Sequence, residues 1–578
     1  MKKNLSGLFK AALPVMVCAS VLSACQKTFD LQPKEVLVTE QVYQNIYDAD
    51  AAVLGIYGQF MKLAGRYVIL NELRGDLLDV TPKSDAYLRE ISLNKAGSDN
   101  PYADPAPFYE VILNCNDALK NFEIMRQKKL LDETQFYQRY TDVFFVRAWL
   151  YLQLGIHFGQ VPYVTEDIAD ISVLKDQAKF PRLSFNNLLD KLIADAVSIP
   201  KEYLGQNTSL VSPTLLVPME PYLLKDGVFK FFIHRRSLLG DLHLWKGNYL
   251  QAAKYYKDVM ETGSSLTTTT NYQIDIYDTY RITNDNSGRN TLLTNGTVNP
   301  WRNIFSNALE ETETNRERMW TLPFSETFGP VNPFLDLFSI SKSYVLKPSD
   351  VARANWANQV RTDGGLTDRR GLESSYRLVN GQPEVLKYVS NYDPLQPFKT
   401  SGIWMLYRAA TLHLRFAEAA NREGRSKLAS VLINDGLYTG FGNKVATYNG
   451  VTDSYPFDFD PTKGTRNGVW YRSIGIRGRA LNQNVIVDST RSFDMAVNPR
   501  IVKDPVLLTQ DTEDLILNEA ALETAFEGYR WPDLLRIALR REKDKAGEGV
   551  KYLNAKLAAK TGNPATFSTV EDFYLPFR

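Results

Sequence analysis

The chain has 578 residues, 44% of them hydrophobic, and its 67 basic and 66 acidic residues leave a formal net charge of +1. That balance does not point to nucleic acid or to charge-driven membrane binding. Cysteine occurs three times and histidine four, and no H-E-x-x-H, C-x-x-C, Walker, G-x-G-x-x-G or G-x-S-x-G spacing is present. Metal, nucleotide and serine-hydrolase chemistry are therefore poorly supported, and no cofactor is expected. A carboxylate-pair glycosidase stays open, because Asp and Glu are abundant and no spacing rule marks the pair.

The N-terminus reads MKKNLSGLFKAALPVMVCASVLSACQKTFD. Lys2 and Lys3 form a positive start, and residues 11–22 an apolar run of signal-peptide length. Such a run is too short for a hydrocarbon core, which takes roughly 20 residues of helix. Leu22, Ser23 and Ala24 before Cys25 resemble the lipobox of bacterial lipoproteins. That resemblance implies removal of residues 1–24 and lipid, palmitate included, on Cys25. Residues 25–39 then serve as anchor and tether, ahead of a single domain over 40–578. Cys18 leaves with the signal, so Cys115 is the one thiol left, no internal disulfide forms, and stability rests on the core. No later apolar run is long enough to span a bilayer.

Helical periodicity follows in blocks, over about 40–263, 402–436 and 509–557. In TDVFFVRAWLYLQLGIHFG, Phe144, Ala148, Tyr151, Leu152 and Gly155 fall on one helix face. Residues 183–199 repeat the pattern, with Ser184 as N-cap and Pro200 as the stop. In LLGDLHLWKGNYLQAAKYYKDVMETG, the residues Leu239, Gly240, His243, Gly247, Tyr249, Ala252 and Tyr256 carry tetratricopeptide spacing, and Gly263 closes the second helix. Further helices start at YRAATLHLRFAEAANREG and DTEDLILNEAALETAFEGYRWPDLLRIALRRE. In the latter, Gly528 is a C-cap, Pro532 lies in the next first turn, Trp531 packs between helices, and Arg530 pairs with Glu519, Glu523 or Asp533.

Between these blocks, residues 264–401 and 437–508 are rich in Thr, Asn, Gly, Ser, Pro and Tyr, with short strand-like runs such as RMWTLPFS and EVLKYV. Trp301, Trp356 and Trp470 lie there. Long loops on a rigid scaffold usually carry function.

Several blocks together resemble the SusD/RagB-like outer-membrane lipoproteins. NEAALETAFEGYRWPDLLR is similar to the family's C-terminal E-G-x-R-W-x-D-L-x-R, with Glu519, Glu523, Glu527, Gly528, Arg530, Trp531, Asp533, Leu534 and Arg536 on the pattern and Pro532 in place of an aromatic. RAWLYLQLGIHFGQVPYVTE, PFYEVILNCNDAL and the ending FYLPFR also fit. YRAATLHLRFAEAANREG keeps Arg408 and Ala417-Glu418-Ala419 but has Thr411 where the family often has Glu. The chain stops at Arg578, without the Pro-x-x-E tail common after that ending.

The resemblance implies a mainly α fold, in which tetratricopeptide-type helix pairs form a scaffold beside a large irregular portion with short strands. It implies a surface-exposed, lipid-anchored outer-membrane protein that binds oligosaccharides, or peptides in one branch. Such proteins deliver ligand to a SusC-like TonB-dependent transporter and are not enzymes. A glycoside hydrolase and a protein-binding repeat scaffold are the other classes left open. Sugar rings present apolar C–H faces to aromatic rings and hydroxyls to planar polar groups. The loop residues that combine both are Asp76 (after Asn71, Glu72 and Arg74), Trp301, Arg370, Tyr392, and Trp470 beside Tyr471 and Arg472. These are the expected ligand contacts, and no metal ligand is expected.

Overall fold

Helices form wherever apolar residues recur on one face and a capping side chain marks the break. The computed structural model describes residues 42–168, 171–204, 228–262, 300–305, 317–327, 329–434, 436–440, 453–458, 475–487 and 505–577. The signal and tether with Cys25, the Gly263 stop, and Trp470 with its neighbours lie outside them.

Helix α1 (Ile46–Met61) starts at Asn45, whose side chain accepts from Tyr47 and Asp48 N–H while Asp48 accepts from the Asn45 N–H, a reciprocal cap. Helices α2 (Ala106–Gln127) and α3 (Glu133–Phe158) form an antiparallel-type pair across which α1 packs, and α3 opens on the same kind of cap at Asp132 and Gln135. Ser184 caps α4 (Phe185–Val197) as expected, by accepting from Asn187 N–H. Next comes the pair α5 (Arg235–Lys246) and α6 (Tyr249–Thr262), joined at Gly247 in the left-handed region, φ 87°. A side chain at Gly240 would collide with the Tyr256 ring, so this glycine lets the two helices close. The tetratricopeptide spacing was thus a correct guide to the seam.

Helix α7 (Asp350–Ala357) carries Trp356 on a capped helix rather than in a loop. The scaffold then continues through α8 (Ala409–Arg422), α9 (Ser426–Ile433), α10 (Pro505–Glu523), α11 (Arg530–Asp544) and α12 (Glu548–Thr561). Helix α6 packs on α8, α8 on α9 and α10, and α11 on α12. The C-terminal tail folds back onto the early part of the described chain: Leu575 N–H donates to His157 O at 2.8 Å, and Arg74 Nη2 to Phe573 O at 2.5 Å.

The described strands form four two-stranded antiparallel ribbons: β1 (Leu78–Val80) with β5 (Leu346–Pro348), β2 (Gln160–Pro162) with β3 (Arg182–Ser184), β4 (Arg318–Phe324) with β8 (Gly402–Arg408), and β6 (Tyr376–Val379) with β7 (Gln382–Val385). RMWTLPFS is a strand, as its apolar run predicts. EVLKYV is not one element: Glu384 and Val385 end β7, and Leu386–Val389 turn into a short helix. Tertiary bonds decide this, since Lys387 Nζ donates to Glu523 O at 3.0 Å and Tyr388 OH to Phe526 O at 2.7 Å.

Scaffold and ribbons share one aromatic core. Phe60 of α1 lies 5.0 Å from Trp149 of α3 and 5.1 Å from Trp404 of β8, ring centre to ring centre. Such pairs add about 0.5–1.5 kcal/mol each beyond burial. Cys115 is buried here and its thiol is pushed up to about 12, so it is inert. No described helix is long and apolar enough to cross a membrane.

Candidate binding site

Four of the expected ligand contacts are described, and each is turned inward. Asp76 is 3% exposed and grips Arg530 as a fork, with Arg530 Nε 2.5 Å from Oδ1 and Nη2 2.8 Å from Oδ2. Arg530 therefore finds neither Glu519, Glu523 nor Asp533, but a partner far away in sequence. Burial would raise the Asp76 pKa, and Arg530 instead holds it below the usual carboxylate value. Trp531 packs between elements as expected, fully buried, with the Arg74 guanidinium 3.8 Å from its ring centre.

The corner before it is tightly made. Gly528 has φ 93° and lies under Tyr67, whose OH donates to Gly528 O at 3.0 Å. Glu72 accepts from Gly528 N–H at 2.7 Å and from Tyr529 N–H at 2.9 Å, and burial pushes its carboxyl up to about 7.

Arg370, fully buried, belongs to an ionic network that ties the ribbons to α10. Its Nη2 is 2.6 Å from Asp368 Oδ2, and its Nη1 is 2.8 Å from Glu519 Oε1 and 2.7 Å from Glu523 Oε2. Arg408 contacts Glu317 at 2.6 Å, Glu523 at 2.8 Å and Glu527 at 2.7 Å. Lys387 pairs with Glu527, Arg477 with Glu519, and Arg479 with Glu317 and Glu523. Five cations (Arg370, Lys387, Arg408, Arg477, Arg479) thus meet five carboxylates (Glu317, Asp368, Glu519, Glu523, Glu527), all buried. Burial alone would lower the Arg408 pKa, yet Glu527 and Glu317 hold it above the usual arginine value.

Trp301 caps this network and is 1% exposed. Its Nε1 donates to Ser375 Oγ at 3.2 Å, and Arg408, Arg479 and Lys387 lie 5.4, 5.4 and 5.5 Å from its ring centre. Trp301 and Arg370 are therefore neighbours, but in a core. Tyr392 is 8% exposed, with Lys342 Nζ 5.4 Å from its ring centre. All four of these side chains are buried on one physical ground: a charge or ring that finds partners across the fold is held there and turns little face to solvent.

The geometry offers a different surface. A cleft of about 970 Å³ opens between the β2–β3 ribbon, the start of α4, the α5–α6 turn, the second half of α11 and the tail over 566–577. It reaches the upper end of the roughly 300–1,000 Å³ usual for small-molecule clefts. The tail wall is pinned by Asn554, which exchanges two 2.8 Å hydrogen bonds with the Phe567 backbone, and by Phe577, 5.6 Å from Phe158.

Rings and guanidinium groups alternate along the lining. Arg536 lies 5.1 Å from the half-buried Trp245, Arg540 5.3 Å from Tyr249, and Arg182 4.5 Å from Phe577. Glu418 holds Arg536 from behind at 2.7 Å, and Glu513 holds Arg540 at 2.9 Å, which fixes both planes. The described lining contains no histidine or cysteine. Such a surface can stack an apolar ring face and donate to its edge. Reading the sequence for loop aromatics missed it, although Trp245 and Tyr249 flank the Gly247 turn of the best-marked helix pair.

No family model matches the chain. A curated relative, SusD-like protein P2 of Formosa agariphila, is 28% identical over 178 residues, which is 30% of this chain. The match spans only about a third, 34%, of that relative's length. The crystal structure of a SusD superfamily protein from Bacteroides thetaiotaomicron matches with a TM-score of 0.55 at 18% identity, over 88% of this chain and 94% of that one. This chain has the SusD-like fold. Surface glycan-binding protein A from Bacteroides uniformis shares it, with a TM-score of 0.52 at 15% identity over 92% of this chain and 96% of that one. Within this fold, the segment that ends α10 and begins α11 ties the ribbons to the helices, and the tail and helix turns form the cleft.

Proposed function

We propose that this chain is a surface-exposed, lipid-anchored outer-membrane protein that captures oligosaccharides and delivers them to a SusC-like TonB-dependent transporter. The observation that carries the reading is the cleft of half-buried rings alternating with oriented guanidinium groups, on a fold shared with a surface glycan-binding protein. Leu22-Ser23-Ala24-Cys25 supports the anchor, with lipid on Cys25. In this reading the protein binds and hands on its ligand without cleaving it, and Trp470 remains the loop-borne candidate for a further contact.

The test is a binding screen of the full chain in detergent against plant, microbial and host oligosaccharides, followed by Trp245→Ala and Tyr249→Ala. Each substitution removes one stacking ring and is expected to weaken binding by about tenfold. Affinity unchanged in both variants, against a glycan the parent binds, would move the site out of the cleft. Release of shortened sugars by the parent would replace capture with hydrolysis.

A further inference from the structure

The cleft's charge is uneven where it faces a ligand. Its lining carries Arg182, Lys246, Arg536, Arg540 and Lys543 against Glu571 and Asp572. Much of this charge is already used. Lys246 reaches Asp190 at 2.7 Å, and Arg540 is held by Glu418 and Glu513. Asp572 Oδ2 accepts from Ser568 and Thr569 N–H at 2.8 and 2.9 Å.

What remains unspent is mainly donor. Arg536 is 2% exposed and uses Nε and Nη2 on Glu418 and Asp533, but its Nη1 has no hydrogen-bond partner among the described residues. Arg182 stacks on Phe577, and its buried Nε likewise has no partner among them. Lys543 and Glu571 both line the cleft and are exposed. A shielded guanidinium N–H without an acceptor is costly, and a charged acceptor satisfies it better than a hydroxyl does.

We infer that the cleft selects oligosaccharides bearing an anionic group, a uronate carboxylate or a sulfate ester, with the sugar ring on Trp245 or Tyr249 and the anion at Arg182 and Arg536. This rests on the glycan-capture reading and narrows it to a charge class. Planar guanidinium donors match either anion, so the two sources share one recognition chemistry.

The experiment measures binding of the full chain in detergent at low salt to two matched pairs. One pair is an oligogalacturonate and its methyl ester, and the other is a sulfated oligosaccharide and its desulfated form. At least one charged member is expected to bind about tenfold more tightly than its neutral partner, with the gap shrinking as salt rises. The pair that responds identifies the anion. Arg182→Gln is expected to remove that gap while the melting temperature stays near the parent value. Should Arg182→Gln unfold the chain, Arg182→Lys, which keeps the charge but loses the fork, is expected to narrow the gap. Equal affinity within both pairs overturns the charge inference while the capture reading stands. No measurable binding of any glycan in the wider screen brings down the capture reading as well.

Discussion

The α10 network and the cleft are built from the same residue types, arginine beside aromatic rings, and they do opposite work. Around Arg370 and Arg408, guanidinium groups are spent on Glu317, Glu519, Glu523 and Glu527, and the adjoining Trp301 is sealed in. Around Arg182 and Arg536, the rings are half open and two N–H groups have no described partner. Residue type therefore does not distinguish a girder from a site. Exposure of the rings does, because a buried charge is stable only when paired, whereas binding needs an open face.

The largest test of this contrast is Glu523→Ala. It strips a carboxylate shared by Arg370, Arg408 and Arg479. A loss at or above about 5 kcal/mol is expected, the top of the range for breaking a buried pair, read as a fall in the urea midpoint. A small loss would mean the network is not the girder described. Trp301→Ala comes next, at about 3–5 kcal/mol for a large buried aromatic. Its effect should appear in stability; a stable Trp301→Ala protein with weakened glycan binding would restore the loop site.

Acid tests the interior more gently. Burial holds His234 down to about 3 and His413 down to about 4, below the usual histidine value of 6.5. The unfolded chain takes up these protons below pH 6.5 and the folded chain refuses them. Their contribution is whole above 6.5 and is lost as pH falls toward 4, at about 1.4 kcal/mol per pH unit for each histidine. Glu72 works the other way, because its raised carboxyl favours the fold at low pH and that advantage fades as pH rises through about 7. His413→Gln should flatten the stability profile between pH 6.5 and 4 by about one proton, and an unchanged slope would show that His413 titrates normally. The smallest stability effect is expected for Trp245→Ala, within about 1 kcal/mol of the parent by thermal melting, although it removes a ring of the cleft. A loss like that of Trp301 would make the cleft wall part of the core.

Local order was legible in the residues themselves. The i, i+4, i+7 pattern of α3, the Ser184 cap, the Gly247 turn and the strand in RMWTLPFS all depend on neighbours within a few positions, and the backbone obeys them. Pairing across the fold was not legible. Arg370 meets Glu523 across 153 residues, and Arg530 meets Asp76 across 454. No local pattern says which carboxylate will be opposite, so Asp76, Trp301, Arg370 and Tyr392 had the composition of ligand contacts and became core. The cleft was hidden for the same reason. Its walls come from β3, the α5–α6 turn, α11 and the tail, and only their packing leaves Trp245, Tyr249 and Arg182 facing one space.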